Sequence, residues 1–197
     1  MRGAPIGADI RRQLDGYAVE LKEHRVVAAD DELSRVAVAS AVVAGLEGNA
    51  AVGALLVDPE GGVLLSERNQ MFVPYFRSDG HAEMVLLSRY EEDHRGTSDL
   101  RGHTLVTSLE PCEMCMVRII NSGVSMVRYV ASDLGKGGIN GPNTLAPHWA
   151  ALAAYQDFGQ ADCDPRLAEI ALDAFSATIG GITQRLLELR LIGDGHG

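Results

Sequence analysis

The sequence predicts an α/β protein with a central mixed sheet, and three observations predict it. Short apolar runs of strand length alternate with longer stretches of helical periodicity. Asp58-Pro59-Glu60-Gly61-Gly62, lying between two such runs, is a strong hairpin turn and makes one strand pair antiparallel. A helical segment opening near Cys112 lies between two further apolar runs, the order of a right-handed crossover between parallel neighbours.

Each element has its own signal. Residues 8–28 carry Ile10, Leu14, Tyr17 and Leu21 at helical spacing with charges between them, an amphipathic helix whose stripe needs its own core or a partner chain as cover. A second helix runs from Asp31 to Leu46, rich in alanine and valine, and stops at Gly48. Ala50–Val57 and Val63–Glu67 are the hairpin strands. Residues 69–80 form a loop. Its end, Ser78-Asp79-Gly80, opens a helix at His81 whose apolar run is Ala82, Met84, Val85, Leu86 and Leu87. Thr104–Ser108 is a short strand leading to the Cys112 helix, with Pro111 at the entry, where its missing N–H costs nothing. Val124–Ala131 is the next strand. Gly135–Asn143 is a loop by composition, either a connector or a lid. Trp149, Tyr155 and Phe158 follow as an aromatic group. Residues 165–178 and 182–191 read as two helices separated by Gly180-Gly181, and 193–197 as a loose tail. The chain thus divides into an N-terminal helical extension (1–30), a core (31–160) and a C-terminal helical extension (161–197).

A chain of 197 residues, 46% hydrophobic, can bury a full core. It lacks the roughly 18 uninterrupted apolar residues of a membrane helix, and its first residues have no signal-peptide apolar run. The net charge of −10, with scattered arginines and no basic run, argues against a phosphate-rich polymer as partner. Of the three cysteines one, Cys163, has no evident mate, which points to a reducing cytoplasm.

The residues that carry chemistry are His81-Ala82-Glu83 followed by Pro111-Cys112-Glu113-Met114-Cys115. Cysteines three apart on the first turn of a helix lie on one side of it, and the helix dipole favours the thiolate that binds metal. His81 opens another helix, so two helix N-termini can meet at one ion. Three ligands, His81, Cys112 and Cys115, leave a fourth position open, whereas a structural zinc site closes all four. Glu83, two residues after the histidine, is placed to move protons rather than to ligate. Taken alone, the cysteine pair would more often be a structural half-site, a redox pair or plain core. The histidine, the glutamate and the proline together in this order make the zinc deaminase pattern.

Around these motifs the chain resembles the cytidine deaminase superfamily, most closely its branch of cytosine, guanine and tRNA-adenosine deaminases. The likeness is carried by Ala51-Val52-Gly53-Ala54-Leu55-Leu56-Val57, Asn69, the His81 triplet and Ser108–Cys115, and it covers about residues 31–135. It implies a three-layer α/β/α fold with a mixed five-stranded sheet, plus the two helical extensions. It implies Zn2+ on His81, Cys112 and Cys115, with Glu83 as the proton carrier of a hydrolase acting on the C–N bond of a cyclic amidine. It also implies substrate contacts at Asn69 and near Ala82 and Pro111, and a homodimer built partly on the cysteine helix. That helix carries Met116-Val117-Arg118 where several relatives have small residues. Trp149 is a further candidate contact, since aromatic walls stack on bases. The acidic charge makes a free nucleobase or nucleoside, guanine- or cytosine-like or a specialised metabolite, the expected substrate. The alternatives are a tRNA or polynucleotide deaminase and a non-catalytic zinc-stabilised scaffold.

Overall fold

A computed structural model describes residues 6–96, 100–133 and 145–191. In chain order the elements are α1 (Ala8–Glu23), α2 (Asp31–Glu47), β1 (Gly53–Val57), β2 (Val63–Arg68), α3 (Ala82–Asp93), β3 (Thr104–Leu109), α4 (Glu113–Ser122), β4 (Met126–Ala131), α5 (Pro147–Ala153), β5 (Asp157–Gln160) and α6 (Pro165–Leu191). The five strands lie in the order β2-β1-β3-β4-β5. β1 runs antiparallel to β2 and to β3, while β3–β4 and β4–β5 are parallel. The sheet is therefore mixed, and α4 is the crossover between parallel β3 and β4, as the sequence predicts.

The layers follow from which side chains each strand presents. Leu55, Val57 and Val106 alternate to one face and bury against Ala37 of α2. Ala54, Leu56 and Leu105 join the main core with Leu86 and Leu87 of α3. α2 packs on α6, and α1 touches both, while α3 and α4 contact each other. Leu14 and Leu21 of α1 are buried in the main core, so this helix is covered by its own chain. α2 ends as expected at Gly48, whose left-handed φ of 93° lets its N–H close on Ala44 and Gly45 carbonyls.

Several elements differ from the sequence expectation, among them β4, which starts at Met126 rather than Val124, and α5, a short helix that the periodicity does not single out. α1 stops at Glu23, because residues 24–28 leave the helix and the N–H groups of Val27 and Ala28 donate to the Asp31 carboxylate instead. β1 starts at Gly53 rather than Ala50. β5, which the periodicity does not single out, is a four-residue edge strand on β4. The expected pair of C-terminal helices is one helix of 27 residues that runs straight through Gly180-Gly181. Each glycine costs a helix about 1 kcal/mol relative to alanine. Burial of Leu167, Ile170, Ala171, Ala174, Thr178 and Ile182 on the flanking turns outweighs that cost. The Gly135–Asn143 loop and the 193–197 tail lie outside the described residues. No described helix is long and apolar enough to cross a membrane.

Candidate active site

Two helix N-termini converge at the C-terminal edge of β3. His81 caps α3 in extended conformation, and Cys112 caps α4 in the same way. Cys115 sits one turn into α4 and is buried. The approach to His81 depends on a loop folded tightly on itself. Gln70 N–H donates to the Gly80 carbonyl at 2.7 Å, and a Cβ on Gly80 would stand 2.8 Å from the Met71 backbone. Only glycine fits that contact.

Sγ of Cys112 and Sγ of Cys115 each lie 3.5 Å from Nδ1 of His81. All three ligand atoms fall within 4.8 Å of one another. A tetrahedral zinc with N at about 2.0 Å and S at about 2.3 Å has N–S edges of roughly 3.5 Å, so the donor set matches the ion. Its proton chemistry agrees. The hydrogen bond with Cys115 pulls the Cys112 thiol down to about 4, against its burial and with help from His81. The same hydrogen bond, reinforced by burial and Glu83, pushes Cys115 up. His81 is raised, chiefly by Cys112. These three groups share protons that a dication would displace.

Glu83 stands on the first turn of α3, 3% exposed. Its Oε1 accepts from Thr107 Oγ1 at 3.1 Å, and its Oε2 lies 3.3 Å from Cys115 Sγ. Burial is the main reason its carboxyl is raised above the ordinary range. A cavity of about 220 Å³ opens beside these groups. Asn69, His81, Glu83, Glu110, Cys112, Cys115 and Asp133 supply its polar lining, and Ala50, Val52, Met71 and Leu109 part of its apolar lining. The remaining wall is one face of α6: Phe175, Ile179, Ile182, Thr183 and Leu186. A second cavity, about 280 Å³ between α1, the end of α2 and the other side of α6, is larger but contains no histidine or cysteine.

Residues 27–131 match the family model of the cytidine and deoxycytidylate deaminase zinc-binding region. The chain belongs to that family. It is 33% identical over 112 residues to the tRNA-specific adenosine deaminase of Bacillus subtilis, covering 57% of this chain and 67% of that protein. It is 35% identical over 108 residues to a tRNA(Ile)-lysidine synthase of Deinococcus deserti, covering 52% of this chain. The chain spans only 19% of that synthase and 17% of its Deinococcus radiodurans counterpart. Among solved structures, a tRNA:A34 deaminase superposes with a TM-score of 0.57 at 26% identity, over 66% of this chain and 97% of that one. The guanine deaminase of Nitrosomonas europaea shares the fold, with a TM-score of 0.60 at 23% identity over 81% and 92%. Within this zinc-binding region, His81, Cys112 and Cys115 are positioned to bind a metal.

The other residues singled out in the sequence fall in different places. Asn69 lines the cavity, 3% exposed, and is also a turn residue, its Oδ1 accepting from Met71 N–H at 3.0 Å. Ala82 and Pro111 are buried beside Glu83 and Cys112, and their side chains do not line the cavity. Trp149 does not line it either: on α5 it packs against Met116, Ile120 and Ala153, with His148 edge-on at 4.8 Å. An aromatic on a short helix found core rather than cavity. Tyr155 is 88% exposed. Glu110 holds the loop after β4, accepting from Ser132 Oγ at 2.6 Å and Asp133 N–H at 3.1 Å. Asp133, Thr107 and the α6 wall were not picked out as site residues. The wall has a readable signal, since 175, 179, 182 and 186 repeat at helical spacing.

Proposed function

We propose that this protein is a zinc-dependent hydrolytic deaminase that removes the exocyclic amine from a small nucleobase or nucleoside, guanine- or cytosine-like. The observation that carries the substrate size is the cavity. At about 220 Å³ it is smaller than a typical drug-sized pocket. Its described lining holds three carboxylates, Glu83, Glu110 and Asp133, and no lysine or arginine to neutralise phosphate. His81, Cys112 and Cys115 would hold the ion. When bound there, zinc supplies a Lewis acid that makes water acidic near neutrality. Glu83 would take up a proton from the attacking water on its carboxylate, deliver it to the ring nitrogen, and then carry to the departing amine the second proton, from the hydroxyl that the ring carbon has gained. A C–O bond forms, a C–N bond breaks, and ammonia leaves, with no change of oxidation state. Asn69 orients the ring, with the backbone around Ala82 and Pro111 beside it.

A second reading has its own support. The Bacillus subtilis relative is named for tRNA, as is the tRNA:A34 deaminase among the solved structures, so a tRNA adenosine substrate is the alternative. Ammonia release from a panel of bases, nucleosides, aminated heterocycles and tRNA, with Glu83→Ala as blank, separates them. Turnover of a free base or nucleoside that is insensitive to salt supports the first reading. Turnover of tRNA alone, falling steeply with salt, replaces it with the second. Zinc content without turnover on any arm would favour the scaffold. The same proposal includes a homodimer in a reducing cytoplasm, where Cys163 remains a free thiol. Sedimentation of the zinc-loaded protein tests the dimer.

A further inference from the structure

We propose that Thr107 is a positioning residue that fixes which carboxylate oxygen of Glu83 faces the metal ligands. The proposal rests on Glu83 acting as the proton carrier. Thr107 lies in β3 with no exposed surface. Strand alternation puts it on the same face as Leu105 and Leu109, both apolar and buried. Valine would fill that position as well by shape, so the hydroxyl is what needs a reason.

The hydroxyl sits 3.1 Å from Glu83 Oε1 and 3.4 Å from the Gly53 carbonyl. The other oxygen, Oε2, is 3.3 Å from Cys115 Sγ. The two oxygens of one carboxylate are therefore assigned to two neighbours, one on the strand and one on the ligand helix. Thr107 is the one described side chain outside the ligand trio that hydrogen-bonds Glu83. A hydroxyl can rotate to donate or accept, so the contact serves a carboxylate and a carboxylic acid alike, with the Gly53 carbonyl taking its hydrogen in the second case. Pinning Oε1 to β3 leaves Oε2 at the metal end of the cavity, where a proton has to be collected. A carboxylate free to rotate or withdraw would miss that position by an ångström or more, a displacement that costs about a hundredfold in rate.

The test compares Thr107→Val and Thr107→Ser with the parent protein, all zinc-loaded. Thr107→Val should keep its zinc and leave KM nearly unchanged, while kcat falls about 10-fold to 100-fold. Thr107→Ser, which restores the hydroxyl, should recover most of kcat. A valine variant with undiminished kcat, or a serine variant as slow as the valine one, overturns the proposal. A crystal structure of the zinc-loaded valine variant decides it without any substrate: the Glu83 carboxylate should leave its place beside residue 107. An unmoved carboxylate sinks the idea. If the parent protein turns over nothing, the proposed function fails, and the crystallographic comparison still decides Thr107.

Discussion

Asp31→Asn is the substitution that best exposes how the site's far wall is held. Asp31 is fully buried at the start of α2 and binds two separate chain segments. Its Oδ2 accepts from the N–H groups of Val27 at 2.6 Å and Ala28 at 2.9 Å, with His24 Nε2 at 3.6 Å. Its Oδ1 accepts from Asp164 N–H at 2.6 Å, the residue immediately before α6. Asparagine has one oxygen for these three donors. If that oxygen stays with Val27 and Ala28, an amide NH2 is turned against Asp164 N–H. The loss is one hydrogen bond to a charged group plus one part-buried donor left without an acceptor, together about 2–4 kcal/mol. In a chain of this length that corresponds to a fall in Tm of roughly 5–15 °C.

The pH dependence supplies a second readout. Burial alone would raise the Asp31 carboxyl, but the hydrogen bonds from Val27, Asp164 and Ala28 bring it down to about 2. A carboxyl held below its unfolded value stabilises the fold at every pH above that unfolded value, near 4, and loses the contribution as pH falls towards 2. The gap in denaturation midpoint between the parent and Asp31→Asn should therefore be constant from pH 7 to pH 5 and narrow below about 4. Metal loss in acid affects both proteins and largely cancels in the difference. A Tm within 2 °C of the parent, or a gap that widens in acid, would refute the reasoning.

Other outcomes follow from the same geometry. Cys112→Ala and Cys115→Ala should each lose tightly bound zinc on dialysis while Glu83→Ala keeps it; equal loss in all three would make Glu83 a ligand. Phe175→Ala, which removes a ring from the α6 wall, should shift the kcat/KM ratio of nucleoside over free base upward by at least about tenfold, the scale on which apolar pockets discriminate by size. An unchanged ratio would mean that α6 does not contact substrate. Gly180→Ala has open space for its Cβ within the long helix and should raise stability by about 0.5–1 kcal/mol, read as a higher midpoint in chemical denaturation.

The parts of this protein that its sequence makes legible are those encoded locally. The zinc trio could be read because two of its ligands are three residues apart on one helical turn and the third opens another helix. Gly48 and the 58–62 turn declare themselves in the same way. β5 could not be read, because Asp157, Gly159 and Gln160 have little strand preference, and pairing with β4 alone makes them a strand. The continuity of α6 depends on packing that no dipeptide rule contains. Thr107 looked like any strand residue, because its partner Glu83 is 24 positions away in sequence and reaches it only through the packing of α3 on the sheet.

The same distinction bears on the substrate. The family match ends at residue 131, before α5, β5 and α6. It covers His81, Glu83, Cys112 and Cys115, and leaves out the helix that forms the opposite wall of the cavity. Similarity to a deaminase named for tRNA therefore supports a shared reaction centre more strongly than a shared substrate. The wall is also tied down at several points. Asp164 N–H is held by Asp31, Thr178 Oγ1 accepts from Ala51 N–H at 3.0 Å, and Arg185 donates to the Gly48 carbonyl at 3.1 Å while lying 3.7 Å from the Phe72 ring centre. Arg166 adds an ion pair to Glu20 of α1. Swinging α6 aside for a polymer would break these contacts together, and the described cavity lining has no cation to repay them with phosphate contacts. A small ring entering an existing cavity needs none of that rearrangement. Under the proposed function, the C-terminal helix, more than the zinc motif, would set which ring the cavity admits.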